Sequence, residues 1–270
     1  MSSDAASFIG SIPEHYDHGL GPILFADYAA DIALRAAASA PACVLEIAAG
    51  TGIVTRQLRD RLPLHVQLVA TDLNPPMLEV ARLKLRPAEQ VEFRPADGTA
   101  LPFPDGSFDA VVCQFGVMFF PEKEKSYCEV HRVLAPGGRY LFNVWDSLHH
   151  NPFGRIAHDV VASFFPVDPP QFYRVPFAYH QIDPIKESLI DAGFTDITIA
   201  VLQQEKEVPD IARFARGLVH GNPVIDEIRA RGGVDPERIV DAIAQALRQE
   251  FGAGPGRMPL QAIVFSASKT

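Results

Sequence analysis

Between residues 43 and 146 the chain alternates short apolar, β-rich runs with stretches of helical period, and this alternation restricts the fold more than any other feature. CVLEIAA (43–49), VQLVATD (66–72), VEFRPAD (91–97), FDAVVCQFG (108–116) and GGRYLFNVWD (137–146) read as strands. Helices are expected over about 54–61, at PPMLEVARLKL (75–85) and over about 122–133. Strands joined through helices of this length form right-handed βαβ units and pair in parallel. The expected fold is α/β: a doubly wound, mostly parallel seven-stranded sheet with an antiparallel C-terminal edge and a helical cap.

The last two strands of that sheet are DITIAVLQQ (196–204) and LQAIVFSAS (260–268), and a helix over 182–194 stops at Gly193. Two segments break the alternation. Residues 147–180 are rich in aromatics and prolines without a strand period, and 208–257 contain DPERIVDAIAQALRQEF, where Asp235 caps a helix begun by Pro236. The expected organisation is an N-terminal helical segment over the ligand site (1–40), an α/β core (41–146), two cap insertions (147–180 and 208–257), and completion of the sheet by 181–207 and 258–270.

Composition removes several function classes. A net charge of −9 argues against a non-specific grip on nucleic acid or anionic membrane and leaves only a local basic patch open. Cys43, Cys113 and Cys128 form neither a CxxC metal spacing nor an even disulfide framework, so no metal is expected and a reducing cytoplasm fits. The N-terminus lacks a signal-peptide pattern, and no apolar run reaches the ~18 residues of a membrane span.

The stretch VLEIAAGTG (44–52) marks the ligand site. A glycine-rich turn between strand and helix brings backbone N–H groups close to a ligand. A P-loop is excluded because no lysine follows Gly52, and the dinucleotide pattern GxGxxG is missing. Glu46 would repel a pyrophosphate and favours a ligand with a positive group. Asp72, at the end of the second strand, is placed to accept both hydroxyls of a ribose.

These segments, with PADGTALPFPDGSFDAVVCQFGVMFFP and HRVLAPGGRYLFNVWD, resemble in order and spacing the signature regions of class I S-adenosylmethionine-dependent methyltransferases, especially the quinone-biosynthesis C-methyltransferases. The resemblance covers residues 44–146 and implies S-adenosylmethionine as cofactor. It implies that Glu46, Ala48, Gly50, Thr51 and Gly52 border the methionine part, Asp72 holds the ribose, and Leu73 and Met77 flank the adenine. Asp97 would accept from the adenine amino group beside Gly98 and Thr99, while Gln114, Phe115 and Gly116 would line the methyl side. Ala48 departs from the usual [DE]xGxGxG pattern and puts the fine geometry of the loop in question.

The expected activity is methyl transfer to a small, moderately apolar molecule, selected by the cap. The alternatives are a non-catalytic regulator that binds S-adenosylmethionine and a nicotinamide-dependent oxidoreductase, the second disfavoured by Glu46 and the missing GxGxxG. No catalytic residue is assigned; Tyr16 and His149 are candidate bases, each balanced by a packing or solvated role. Phe153, Phe164, Phe165, Phe172, Tyr173, Phe177 and Tyr179 would form the cap core, the walls of an apolar pocket, or both.

Overall fold

The five apolar runs become the parallel strands β1 (Cys43–Glu46), β2 (Gln67–Asp72), β3 (Val91–Pro95), β4 (Phe108–Gln114) and β5 (Leu134–Trp145) of a computed structural model that describes residues 4–252 and 255–270. With β6 (Thr195–Val208) and β7 (Gly256–Ser268) they form one seven-stranded sheet in the order β3-β2-β1-β4-β5-β7-β6. The antiparallel strand is β7, inserted between β5 and β6, so the edge itself is β6. Residues 1–3 of the expected N-terminal segment and 253–254 of the second insertion lie outside the described residues.

Burial explains the strand texture. From Leu68 to Asp72, β2 is buried throughout, which is why it reads as a continuous apolar run. Edge strand β6 alternates half-buried and exposed residues, and its polar stretch QQEKE continues the ladder to Val208. The boundaries expected at 208 and 257 therefore fall inside strands.

One face of the sheet carries α2 (Ala26–Ala37), α3 (Ile53–Arg61) and α4 (Pro75–Arg82), with Ile32, Val54 and Leu58 packed on Val44, Leu68 and Val112, and Leu78 on Ala70. The other carries α5 (Lys123–Val133) and α8 (Ile182–Asp191), whose Tyr127, Val130 and Leu189 share a cluster with Tyr140 and Phe142. Both insertions are helical: α6 (Pro152–Ser163) and α7 (Arg174–Ala178), then α9 (Ile211–His220), α10 (Val224–Arg231) and α11 (Pro236–Phe251). Asp235 caps α11 as expected, its carboxylate accepting from the Glu237 N–H at 3.0 Å.

Ahead of α2, a single turn α1 (Ile12–His15) runs into a ten-residue π-helix, Tyr16–Phe25. This element lies on α9 with backbones almost touching: a Cβ built on Gly19 would stand 2.9 Å from the Gly217 Cα. Within the expected 1–40 segment, this first part covers the sheet's carboxyl rim, while α2 packs on the sheet face.

Candidate active site

Because β1 leads to β2 on one side while β4 pairs on the other, the carboxyl ends of β1 and β4 diverge at a topological switch point, where ligands of such sheets bind. A cleft of about 1050 Å³, partly open to solvent, occupies this point. Of the residues expected there, Ala48, Gly50, Asp72, Leu73, Met77, Asp97, Gly98, Gln114, Phe115 and Gly116 line it. Glu46 and Thr51 line an adjoining recess that shares Ala48, Gly50 and Gln114 with the cleft.

Gly52 and Thr99 touch neither space. Gly52 has φ +76° and an added Cβ would meet the Ala81 Cβ at 2.7 Å, so its smallness lets α3 start against α4. Thr99 donates from N and Oγ1 to one Asp97 oxygen, both at 2.8 Å, which leaves the other carboxylate oxygen without a partner among the described residues, on a side chain that lines the cleft.

The acids differ in setting. Glu46 is 2% exposed and accepts from the Thr55 hydroxyl at 2.6 Å. Burial pushes its carboxyl up to about 8 despite that bond, with the nearby Asp72 charge adding to the rise. Asp72 accepts from the Gly50 N–H at 2.8 Å and the Asn74 N–H at 2.8 Å. Burial raises its pKa and those bonds oppose the rise. Asp72 thus shapes the loop as well as facing the cleft. The hydroxyl of Thr51 is buried without a hydrogen-bond partner.

Two non-glycine residues hold left-handed backbone at the rim, Ala48 at φ +53° and Phe115 at φ +51°. Ala48 shows how the loop departs from three glycines: its methyl sits where a Cβ on Gly116 would come within 2.5 Å, so the alanine is accommodated by a glycine across the rim. Phe115 is held by its N–H donating to both the carbonyl (3.1 Å) and Oδ1 (3.0 Å) of buried Asn143. Its ring stacks on Trp145 at 4.1 Å.

Tyr16 borders the cleft, the recess and a third, inner cavity, and stacks on Phe25 at 4.9 Å. Burial, then the charges of Asp72 and Asp17, drive its hydroxyl far above the ordinary phenol range. A phenol so disposed stays protonated and serves as a donor or an aromatic wall rather than a base. His149 stands elsewhere, with His150 in a separate hollow against β6 and β7.

Residues the sequence did not single out complete the site. Asn74 donates to the Ala6 carbonyl (3.0 Å) and accepts from the Phe8 N–H (3.2 Å), fastening the N-terminal strap over the cleft, and Lys84 pairs with Asp17 behind it. Asn-Pro at 74–75 reads locally as a helix cap, yet the side chain caps nothing and bonds the strap and the Asp72 carboxylate instead. Among the described residues no group of three or more His, Cys, Asp or Glu is placed to hold a metal ion.

Residues 45–142 match a family model described as a methyltransferase domain. Residues 45–142 are thus similar to methyltransferase domains, and the sheet has the class I methyltransferase fold. Over 114 residues the chain is 46% identical to a demethylmenaquinone methyltransferase of Thermus thermophilus, covering 42% of this chain and 50% of that protein. A ubiquinone/menaquinone biosynthesis C-methyltransferase of Pseudomonas syringae pv. tomato is 36% identical over 169 residues, covering 57% and 66%. The chain thus spans about half the length of several curated relatives that it matches. In fold, the chain resembles YcgJ of Bacillus subtilis (TM-score 0.59, 20% identity, 90% and 98% covered). It also resembles a phosphoethanolamine N-methyltransferase of Haemonchus contortus solved with S-adenosyl-L-methionine (TM-score 0.59, 19% identity, 95% and 56% covered).

Proposed function

We propose that this chain transfers a methyl group from S-adenosylmethionine to a small, largely apolar acceptor. The observation that carries this reading is the pairing, in one recess, of the buried Glu46 carboxyl with the unpartnered Thr51 hydroxyl. An uncompensated acid and an orphaned hydroxyl both call for a ligand that brings a cation and hydrogen bonds, and the amino-acid end of S-adenosylmethionine supplies them. Asp72 then meets the ribose, Leu73 and Met77 the adenine faces, and the free oxygen of Asp97 the adenine amino group. The relatives named above are methyltransferases acting in quinone synthesis, which agrees with an apolar acceptor.

When bound, the cofactor supplies a methyl on a sulfonium, which an electron pair of the acceptor attacks while the carbon–sulfur pair stays on sulfur. The residues align and dry the two partners. Gln114 donates to the Phe25 carbonyl at 3.3 Å, tying the rim to the π-helix. The rings of Tyr16 and Phe115 give a cation-favouring wall. Among the described residues no side chain at the inner cavity is a carboxylate, histidine or lysine, so the cavity offers none of these as a base to take a proton from the acceptor's attacking atom. We read Tyr16–Phe25 and the strap as the cover of the cofactor and the two insertions as the cap of the acceptor. Three unpaired cysteines suit a reducing cytoplasm.

Calorimetric titration with S-adenosylhomocysteine tests the assignment. Asp72→Ala should weaken binding at least tenfold, since each lost charge-assisted hydrogen bond is worth about 1.5–3 kcal/mol. Because Asp72 also holds Gly50, Asp72→Asn, which keeps one acceptor, should lose less. Unchanged affinity in both variants would remove Asp72 from the site, and a wild-type chain that ignores the ligand would end the reading.

A further inference from the structure

Behind the cleft lies a narrow inner cavity of about 460 Å³, its opening included, that shares Phe8, Tyr16, Phe115 and Phe119 with the cleft. Its deeper walls are rings: Trp145 ends β5, Phe153 comes from α6, Phe172 from the following loop and Phe177 from α7. Among the described residues the lining holds no charged side chain, and its polar members are Tyr16, Tyr173, Asn222 and, through its indole N–H, Trp145.

Tyr173 is committed, donating its hydroxyl to the Leu218 carbonyl at 2.6 Å. Asn222 donates Nδ2 to the same carbonyl at 3.2 Å, which fixes the amide's orientation because a flipped amide would set oxygen against oxygen. Among the described residues its Oδ1 accepts no hydrogen bond, and the residue, 7% exposed, lines the cavity. An amide oxygen with no protein donor in a cavity wall is selective: it favours a ligand that presents O–H or N–H over one that does not. Asn222 lines the inner cavity and not the cleft, so it acts at the end of the acceptor away from the cofactor.

We propose that Asn222 is the specificity-determining residue of the acceptor pocket, and that the pocket takes an uncharged, flat or slender apolar molecule carrying a hydrogen-bond donor at its inner end. This rests on the methyl-transfer reading for the identity of the pocket. Asn222 orients the acceptor by its donor while the rings hold the apolar body, and the absence of a cation in the lining turns away carboxylates.

The test uses 4-butylphenol, butylbenzene and 4-butylbenzoate as probes of the full chain saturated with S-adenosylhomocysteine. Trp145, the chain's single tryptophan, lies in the wall and reports occupancy by its fluorescence. The wild type should bind the phenol about tenfold more tightly than butylbenzene and the benzoate least. In Asn222→Leu, where Leu218 keeps the Tyr173 donor, the order of phenol and butylbenzene should invert; Asn222→Ala should at least abolish the phenol's advantage. Affinity for S-adenosylhomocysteine should stay within twofold in both variants, which shows that they fold. If the wild type does not distinguish phenol from butylbenzene, or if the preference survives both substitutions, the role of Asn222 is overturned. If S-adenosylhomocysteine itself fails to bind the wild type, it is the methyl-transfer reading that falls.

Discussion

At residue 48 a methyl group is held where the backbone prefers none. A left-handed alanine costs roughly 1–2 kcal/mol against the same conformation in glycine, and Ala48 adopts it at φ +53°. Glycine recovers that strain but adds freedom to the unfolded chain, so Ala48→Gly should stabilise the protein by about 0.5–1 kcal/mol in denaturant unfolding; a loss of stability would mean that the contact across to Gly116 outweighs the strain. Glu46 makes a second prediction. Its folded pKa of about 8 lies above the ordinary glutamate value, so the ionised form costs stability progressively as pH rises from about 4.5 to 8, and the carboxyl is mostly protonated at pH 6.5. A ligand ammonium reverses this by requiring the charge. Binding of S-adenosylhomocysteine at pH 6.5 should therefore release close to one proton, seen as a dependence of the calorimetric heat on buffer ionisation enthalpy. Glu46→Gln should weaken binding and erase that release; an equal release from the glutamine variant would place the titrating group elsewhere. Residues of this kind were legible because they stand at strand ends within a spaced pattern, as Glu46, Asp72 and Gln114 do. Asn143 and Asn222 were not, since an asparagine inside a strand or after a helix looks like local turn chemistry until the fold brings Phe115 to one and the cavity to the other.

At the scale of elements, the π-helix is the least expected feature and the one that joins the two halves of the site. Its ten residues contain Gly19, Gly21 and Pro22, which argue locally for a turn; wide i→i+5 spacing, completed by Ala26 donating to the Gly21 carbonyl, keeps them helical. The benefit is close approach to α9. Gly19→Ala would push a Cβ to 2.9 Å from the Gly217 backbone, and backbone yields less easily than a side chain, so a cost of about 1–3 kcal/mol is expected in denaturant unfolding. Gly217→Ala attacks the same contact, so the double variant should cost less than the sum; full additivity would show that the two glycines do not meet. The sheet was far more readable. Strands buried on both faces leave uninterrupted apolar runs, and helices between them leave capping and period, so the order of elements from 43 to 146 needed no tertiary information. The polar second half of β6 gave no such signal, because an edge strand's outer face is free to be charged.

For the whole molecule, the sheet and cap share one apolar cluster. Phe142 and Phe265 from the strands, Phe153 and Phe177 from the first insertion and Phe214 and Ile239 from the second all belong to it. The second insertion also hangs between β6 and β7, which pair along their full length, so its ends are fixed by the sheet. A cap docked through its own core on an independent domain would open separately; a cap that completes the domain's core cannot leave without exposing it. Trp145, 3% exposed at the junction of β5 with α6 and α7, reports on this directly. Tryptophan fluorescence and far-ultraviolet circular dichroism should follow one coincident denaturant transition. S-adenosylhomocysteine at a hundred times its dissociation constant should add about 2.7 kcal/mol to the whole of it, as for a ligand that binds only the folded state. A fluorescence change that precedes the loss of secondary structure would show the cap to be a separable unit, and a ligand shift confined to the later step would then place the cofactor site on the sheet alone.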